Sequence, residues 1–156
     1  MPIGGESMAG HRRAWDTPTV QPPSKATFAI RSSTHTSQVI TDRLDLAPTR
    51  VHDRGDPVSR RAPRTKHREE SAWFLQSAIP ETQPLAGHLA SLLNQIEPRL
   101  SLLTVLLDEG CQLDWFCYME AKPLGNMVHL DAALLARLAA LGGPITFDIY
   151  DGDPTD

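Results

Sequence analysis

Cys111-Gln112-Leu113-Asp114-Trp115-Phe116-Cys117-Tyr118-Met119-Glu120 is the stretch that decides the fold. Its odd positions carry Cys111, Leu113, Trp115, Cys117 and Met119, and its even positions carry Gln112, Asp114, Phe116, Tyr118 and Glu120. Successive side chains of an extended backbone point to opposite sides, so this alternation predicts a strand with one face in a core and the other toward water. Ala26–Arg31 repeats the pattern, with Ala26, Phe28 and Ile30 opposed to Thr27, Ala29 and Arg31. So does Ile145–Tyr150, with Ile145, Phe147 and Ile149 on the expected core side against Thr146, Asp148 and Tyr150. Ser71–Ser77 is a fourth strand, with Trp73 and Leu75 opposed to Phe74, and Arg50–Asp53 a weaker fifth.

Between these strands the apolar spacing turns helical. Ser37–Leu46 places Val39, Ile40 and Leu44 on one side, and Thr36 can cap it. Leu85–Glu109 carries Leu85, Leu89, Leu92, Leu93 and Ile96, then Leu100, Leu103 and Leu106. Pro98 lacks the donor its position needs and predicts a kink or two abutting helices, with Gly110 at the end. A third helix runs from an Asp131 cap through Leu134, Leu138 and Leu141 to Gly142-Gly143-Pro144. Strands apolar on one side need helices over that side only. The expected fold is therefore α+β, a two-layer sandwich of about five strands in a mixed sheet, with three helices on one face and the other face open to solvent. The closing strand–helix–strand unit suits a parallel pair.

The chain has 156 residues, enough for one domain with a sizeable core, and 40% of them are hydrophobic against 22% charged. Residues 25–151 read as that single domain, with flexible tails over 1–24 and 152–156. No apolar run approaches the ~20 residues that cross a bilayer. His11-Arg12-Arg13 lacks the apolar segment a targeting signal needs, so a cytoplasmic location is expected. Six residues of strand separate Cys111 from Cys117 by roughly 20 Å, while disulfide Cα atoms lie within about 7 Å, so both read as small core residues. The formal charge of −4 is unevenly spread. Residues 1–70 hold 12 basic and 8 acidic residues, whereas 71–156 hold 3 and 11. Most of the excess lies between Arg50 and Arg68, and 54–70 reads as a mobile basic loop with almost no apolar residue.

Taken together, Pro48-Thr49-Arg50, Gly55-Asp56-Pro57, Trp73, Leu85-Ala86-Gly87-His88-Leu89, Ile96-Glu97-Pro98, Phe116-Cys117-Tyr118, Leu134-Leu135-Ala136-Arg137-Leu138 and Phe147-Asp148-Ile149-Tyr150 resemble the domain-of-unknown-function family 4279. The order and spacing of all of them carry the resemblance, which covers about residues 26–151. It implies a small bacterial α+β domain with no established activity. The chain departs from the family's Gly/Asp-rich turn after the first strand, where it reads Ser32-Ser33-Thr34-His35.

By parity the open face of the sheet carries Asp114, Phe116, Tyr118, Glu120, Asp148 and Tyr150. Rings and carboxylates exposed together can grip a basic or amphipathic partner, or simply form a solvated face. The basic loop offers Arg60, Arg61, Arg64, Lys66 and Arg68, with His67, to phosphate, or else is a solvated loop that shields or tethers the acidic sheet face. No aromatic residue is interleaved there for base stacking, which argues against nucleic acid. His88 lies at the border of an apolar helix stripe and reads as a core-edge histidine bonded to a group such as Ser77, or as a general base. Asp53, Gly55 and Asp56 read as a turn, being too few for a calcium loop. No nucleophile elbow, phosphate-cradling glycine loop, metal-ligand spacing or cofactor fingerprint occurs. The expected function is thus a non-catalytic binding or accessory module, immunity-like by analogy, that engages a protein partner as a monomer or weak dimer without metal or cofactor. The alternatives are a small enzyme using His88 with a nearby carboxylate, and nucleic-acid contact through 58–68.

Overall fold

A computed structural model of the chain describes residues 22–62, 64, 66–121 and 127–151. Five strands form one sheet: β1 (Ser24–Ser32), β2 (Arg50–His52), β3 (Ser71–Gln76), β4 (Gln112–Glu120) and β5 (Ile145–Tyr150). They lie in the order β2-β3-β1-β4-β5. The first three contacts are antiparallel and β4 with β5 is parallel, so the sheet is mixed and open. The α+β architecture expected from the alternation is the one observed.

The helices are α1 (Ser37–Leu44), α2 (Leu85–Ile96), α3 (Leu100–Asp108) and α4 (Ala132–Leu141). Thr36 and Asp131 cap α1 and α4 through their side chains, which accept from the backbone N–H groups of Val39 and Leu134. The kink expected at Pro98 is a short 3₁₀ turn over Glu97–Arg99 that joins α2 to α3. Arg99 ties this joint down by donating to the carbonyls of Leu44, Asp45 and Gln95. The Arg137 guanidinium grips both oxygens of Glu97 and fixes α4 to the same turn.

The alternating face of β4 sits in the core as expected. Leu113, Trp115, Cys117 and Met119 join Phe28, Ile30, Trp73 and the inner faces of the helices in one apolar cluster. Both cysteines are buried and unbridged, and burial pushes the Cys117 thiol up to about 12.

Two expectations fail at the margins. Phe147 and Ile149 were assigned by parity to the core, yet they are 42% and 61% exposed. β5 is an edge strand, α4 packs beside α2, and the core reaches only as far as Ile145. Parity sets which side a residue faces; the width of the helix layer sets whether that side is covered. The tail expected over 1–24 also ends sooner. Ser24 already belongs to β1, its N–H donates to the Glu81 carbonyl, and the Pro23 carbonyl accepts from Glu120. The rest of that tail and the tail at 152–156 lie outside the described residues. Among the described residues no helix is long and apolar enough to cross a membrane.

Candidate functional site

The site grows from the register of all five strands. One row across the uncovered face reads Arg50, Phe74, Ala29 and Asp114, and the next reads His52, Ala72, Arg31 and Gln112. A third row brings Gln76, Thr27, Phe116 and Thr146 together. Large groups thus surround small ones. Ala29 and Ala72 occupy the middle of the face with no side chain beyond Cβ, while Phe74 and Phe116 stand beside them. Sequence parity put Ala29 on the wet side. It does face that way, but the larger side chains flanking it leave it buried at the floor of the hollow.

Residues 54–58 and 66–70 close one side of this hollow. These two arms are hydrogen-bonded, Gly55 N–H to the Arg68 carbonyl, Arg68 N–H to that of Asp56, and Val58 N–H to that of Lys66. A β-bridge joins Pro57 to His67. The base of the arms is anchored by Asp53, whose carboxylate accepts from the Ser37 backbone and hydroxyl at the start of α1. Those bonds hold the Asp53 carboxyl below its ordinary range, the Ser37 N–H contributing most. The Ser32 hydroxyl accepts from the N–H groups of Thr34 and His35, a bond pattern that forms the turn after β1.

The result is a cleft of about 740 Å³ between the sheet and the arms, walled by Val58, Lys66, His67 and Arg68. A smaller depression of about 440 Å³ continues it toward Lys25 and Tyr118, sharing Thr27, Arg50, Phe74 and Phe116. The Arg50 guanidinium lies 4.3 Å from the Phe74 ring centroid, and the His52 ring packs at 5.6 Å from the same ring. Arg31 Nε and Asp114 are paired at 2.8 Å. The His52 imidazole is held below its ordinary range, by burial first and then by the positive charges of Arg68 and Arg50.

The predicted sheet-face residues separate into two groups. Asp114, Phe116 and Tyr118 line the cleft or its continuation. Glu120, Asp148 and Tyr150 lie beyond it, where the rings of Tyr118 and Tyr150 pack at 5.2 Å and the Tyr118 hydroxyl donates to Glu120. Bonding to these carboxylates raises both tyrosines above their ordinary value, Tyr118 through Glu120 and Tyr150 through Asp148. Of the basic loop, Lys66 and Arg68 line the cleft, whereas Arg60, Arg61 and Arg64 are exposed and do not. Arg50, His52, Phe74 and Ala72 were not foreseen as site residues. Phe74 had been set opposite Trp73 by its parity, but nothing local says that β3 and β2 lie beside β1 on that face.

His88 is elsewhere. It lies on α2 in the core, 1% exposed, and its Nδ1 shares a hydrogen bond with the Ser77 hydroxyl. Its surroundings are the carbonyls of Gln83 and Pro80 and the Glu81 carboxylate, with neither Asp56 nor a sheet carboxylate among them. Among the described residues no three His, Cys, Asp or Glu side chains come together as a metal would require.

Burial depresses His88 below 6.5, as burial and the arginines depress His52. A lowered folded-state value means the unfolded chain binds the proton more readily. The contribution is complete above about pH 6.5 and is lost as pH falls toward the folded value. Carboxylates held low, such as Asp53 and Glu97, act only below their ordinary 3.8 and 4.5. The urea midpoint is therefore expected to fall between pH 7 and 5, and to fall less in H88Q. A wild-type midpoint constant over that range would contradict the assignment.

The family model described as Domain of unknown function (DUF4279) matches residues 22–152, and the chain belongs to this family. The match begins where Pro22 and Pro23 lead into β1 and so spans the whole described fold. No curated protein and no solved structure matches the chain.

Proposed function

We propose that this member of the family is a non-catalytic, cytoplasmic binding module that engages a protein partner on the sheet face opposite its helices, the partner presenting acidic groups. The observation that carries the reading is the composition of the cleft. Its rings belong to Phe74 and Phe116, and its cations Arg50, Lys66 and Arg68 make no ion pair among the described residues. Aromatic and arginine side chains in a concave patch supply much of the energy at protein interfaces. Unpaired guanidiniums select a partner of opposite charge. Arg60, Arg61 and Arg64, exposed on the adjacent arm, extend the same field outward and would steer an acidic partner. The sheet carboxylates at the far end, Asp148 and Glu120, are tied to tyrosines and set the limit of the basic surface.

In-cell photo-crosslinking tests this. A benzophenone side chain placed at Val58, on the rim of the cleft, is expected to trap a discrete protein adduct. The same group at Leu102, exposed on α3, should trap none. The adduct should disappear when the probe at 58 is combined with F116E or R50E. An adduct that survives both substitutions, or one formed from position 102 alone, would remove the sheet face from the proposal.

A further inference from the structure

We infer that the cleft between the sheet and the arms at 57–58 and 66–68 binds an oxyanion, a carboxylate or phosphate carried on an apolar body, with Arg50 and Arg68 on the charge and Phe74 and Phe116 against the body. This rests on the binding-module reading and deepens it by naming the chemical group that must enter the cleft.

The charge balance within the cleft supports an anion. Asp114 is neutralised by Arg31 at 2.8 Å. The remaining lining charges are Arg50, Lys66 and Arg68 against Glu69 and Glu70, none of them in an ion pair among the described residues, so the cations are in excess by one. Arg68 lines the cleft with no ion pair of its own among the described residues, and an oxyanion is the acceptor that suits a guanidinium best. The Arg50 guanidinium lies over the Phe74 ring, a contact that restrains it without using its N–H donors. His52 lies beside them, its imidazole held below its ordinary range by burial and then by the charges of Arg68 and Arg50.

The apolar half follows from the small residues. Ala29 and Ala72 leave room between the two phenylalanines, and about 740 Å³ lies within the range of organic ligand sites. A bare inorganic anion would satisfy the arginines and leave that space to water. A ligand with a ring or branched body fills both halves.

Benzoate, phenyl phosphate and the neutral isostere benzamide can be titrated into the full chain and followed by amide and arginine Nε–H nuclear magnetic resonance. Benzoate and phenyl phosphate are expected to shift Ala29, Ala72, Phe116 and the Arg50 Nε–H, and to bind at least about tenfold more tightly than benzamide. R50Q and R68Q should each weaken benzoate by about tenfold or more, with an unchanged melting temperature. Benzamide binding as well as benzoate would overturn the inference without any variant. So would benzoate affinity that persists in the double variant, or an absence of cleft shifts with every probe. Acetyl-Gly-Phe and its C-terminal amide separate the sources. If only the free acid binds, and more tightly than benzoate, the anion belongs to a polypeptide end; if benzoate matches it, a free small molecule suffices. Failure of these titrations with a surviving Val58 adduct would retire the oxyanion alone. Loss of the adduct's dependence on Phe116 and Arg50 would retire the module reading as well.

Discussion

Replacing Trp115 by alanine is expected to lower the unfolding free energy by about 3–5 kcal/mol, the usual cost of removing a fully buried tryptophan. Trp115 is 1% exposed, and its ring lies 4.8 Å from that of Phe28, its cross-strand partner. The loss is therefore packing between the adjacent strands β1 and β4. A second part of the loss is polar. The indole Nε1 donates to the Gly142 carbonyl at 3.0 Å, and the Trp115 backbone N–H donates to that of Pro144 at 2.9 Å. One residue thus joins β4 to the turn that launches β5. W115F keeps most of the apolar contact and gives up the indole bond, so it should cost about 1–2 kcal/mol. Urea unfolding followed by far-UV circular dichroism reads both values. A W115A loss under about 1 kcal/mol would mean that this ring does not organise the core.

The second large effect is expected at Gly143. Here φ is +84°, and a Cβ would sit 2.8 Å from the Leu113 carbonyl oxygen. Gly142 provides the control, since its φ of +80° is equally unsuited to a side chain while nothing lies within 4 Å of its Cβ position. Positive φ in a residue with Cβ costs roughly 1–2 kcal/mol, more in the extended left-hand region that Gly142 adopts. G142A should therefore lose about 1–3 kcal/mol from backbone strain alone. G143A adds a collision with backbone that cannot swing away, and should lose about 3–4 kcal/mol or fail to accumulate as folded protein. The collision lies on β4, next to the Trp115–Pro144 bond, so it would push β5 off its parallel register. Equal losses in the two variants would show that the close approach to Leu113 carries no weight. The same urea titrations decide it.

Both effects act on features whose residues were legible in the chain and whose consequences were not. Trp115 belongs to the core by its parity in Cys111–Glu120, but its indole bond to Gly142 needs the return of the chain after α4. Gly142-Gly143-Pro144 reads as a helix stop, and the stop is real. That the second glycine is also a contact point with β4 follows only from how tightly β5 is laid beside it. At the candidate site the division is similar. Asp114, Phe116 and Tyr118 were placed on the open face by alternation alone, and Lys66 and Arg68 by the local excess of positive charge. Arg50, His52 and Phe74 came from strands too short or too weakly patterned to announce a face.

The order of apolar and polar residues by itself determined the strands, the helices and the side of each strand that meets the core, because a period of two or of 3.6 is a local property of the backbone. It determined the break at Pro98 and the caps at Thr36 and Asp131 for the same reason. Only the tertiary structure decided the strand order β2-β3-β1-β4-β5, and with it the juxtaposition of Arg50, Phe74 and Ala29 across strands distant in sequence. It also decided that Phe147 and Ile149 stay exposed, since covering an edge strand depends on how far a separate helix layer extends. Local pattern specifies direction; pairing between distant segments specifies neighbours, and a binding cleft is made of neighbours.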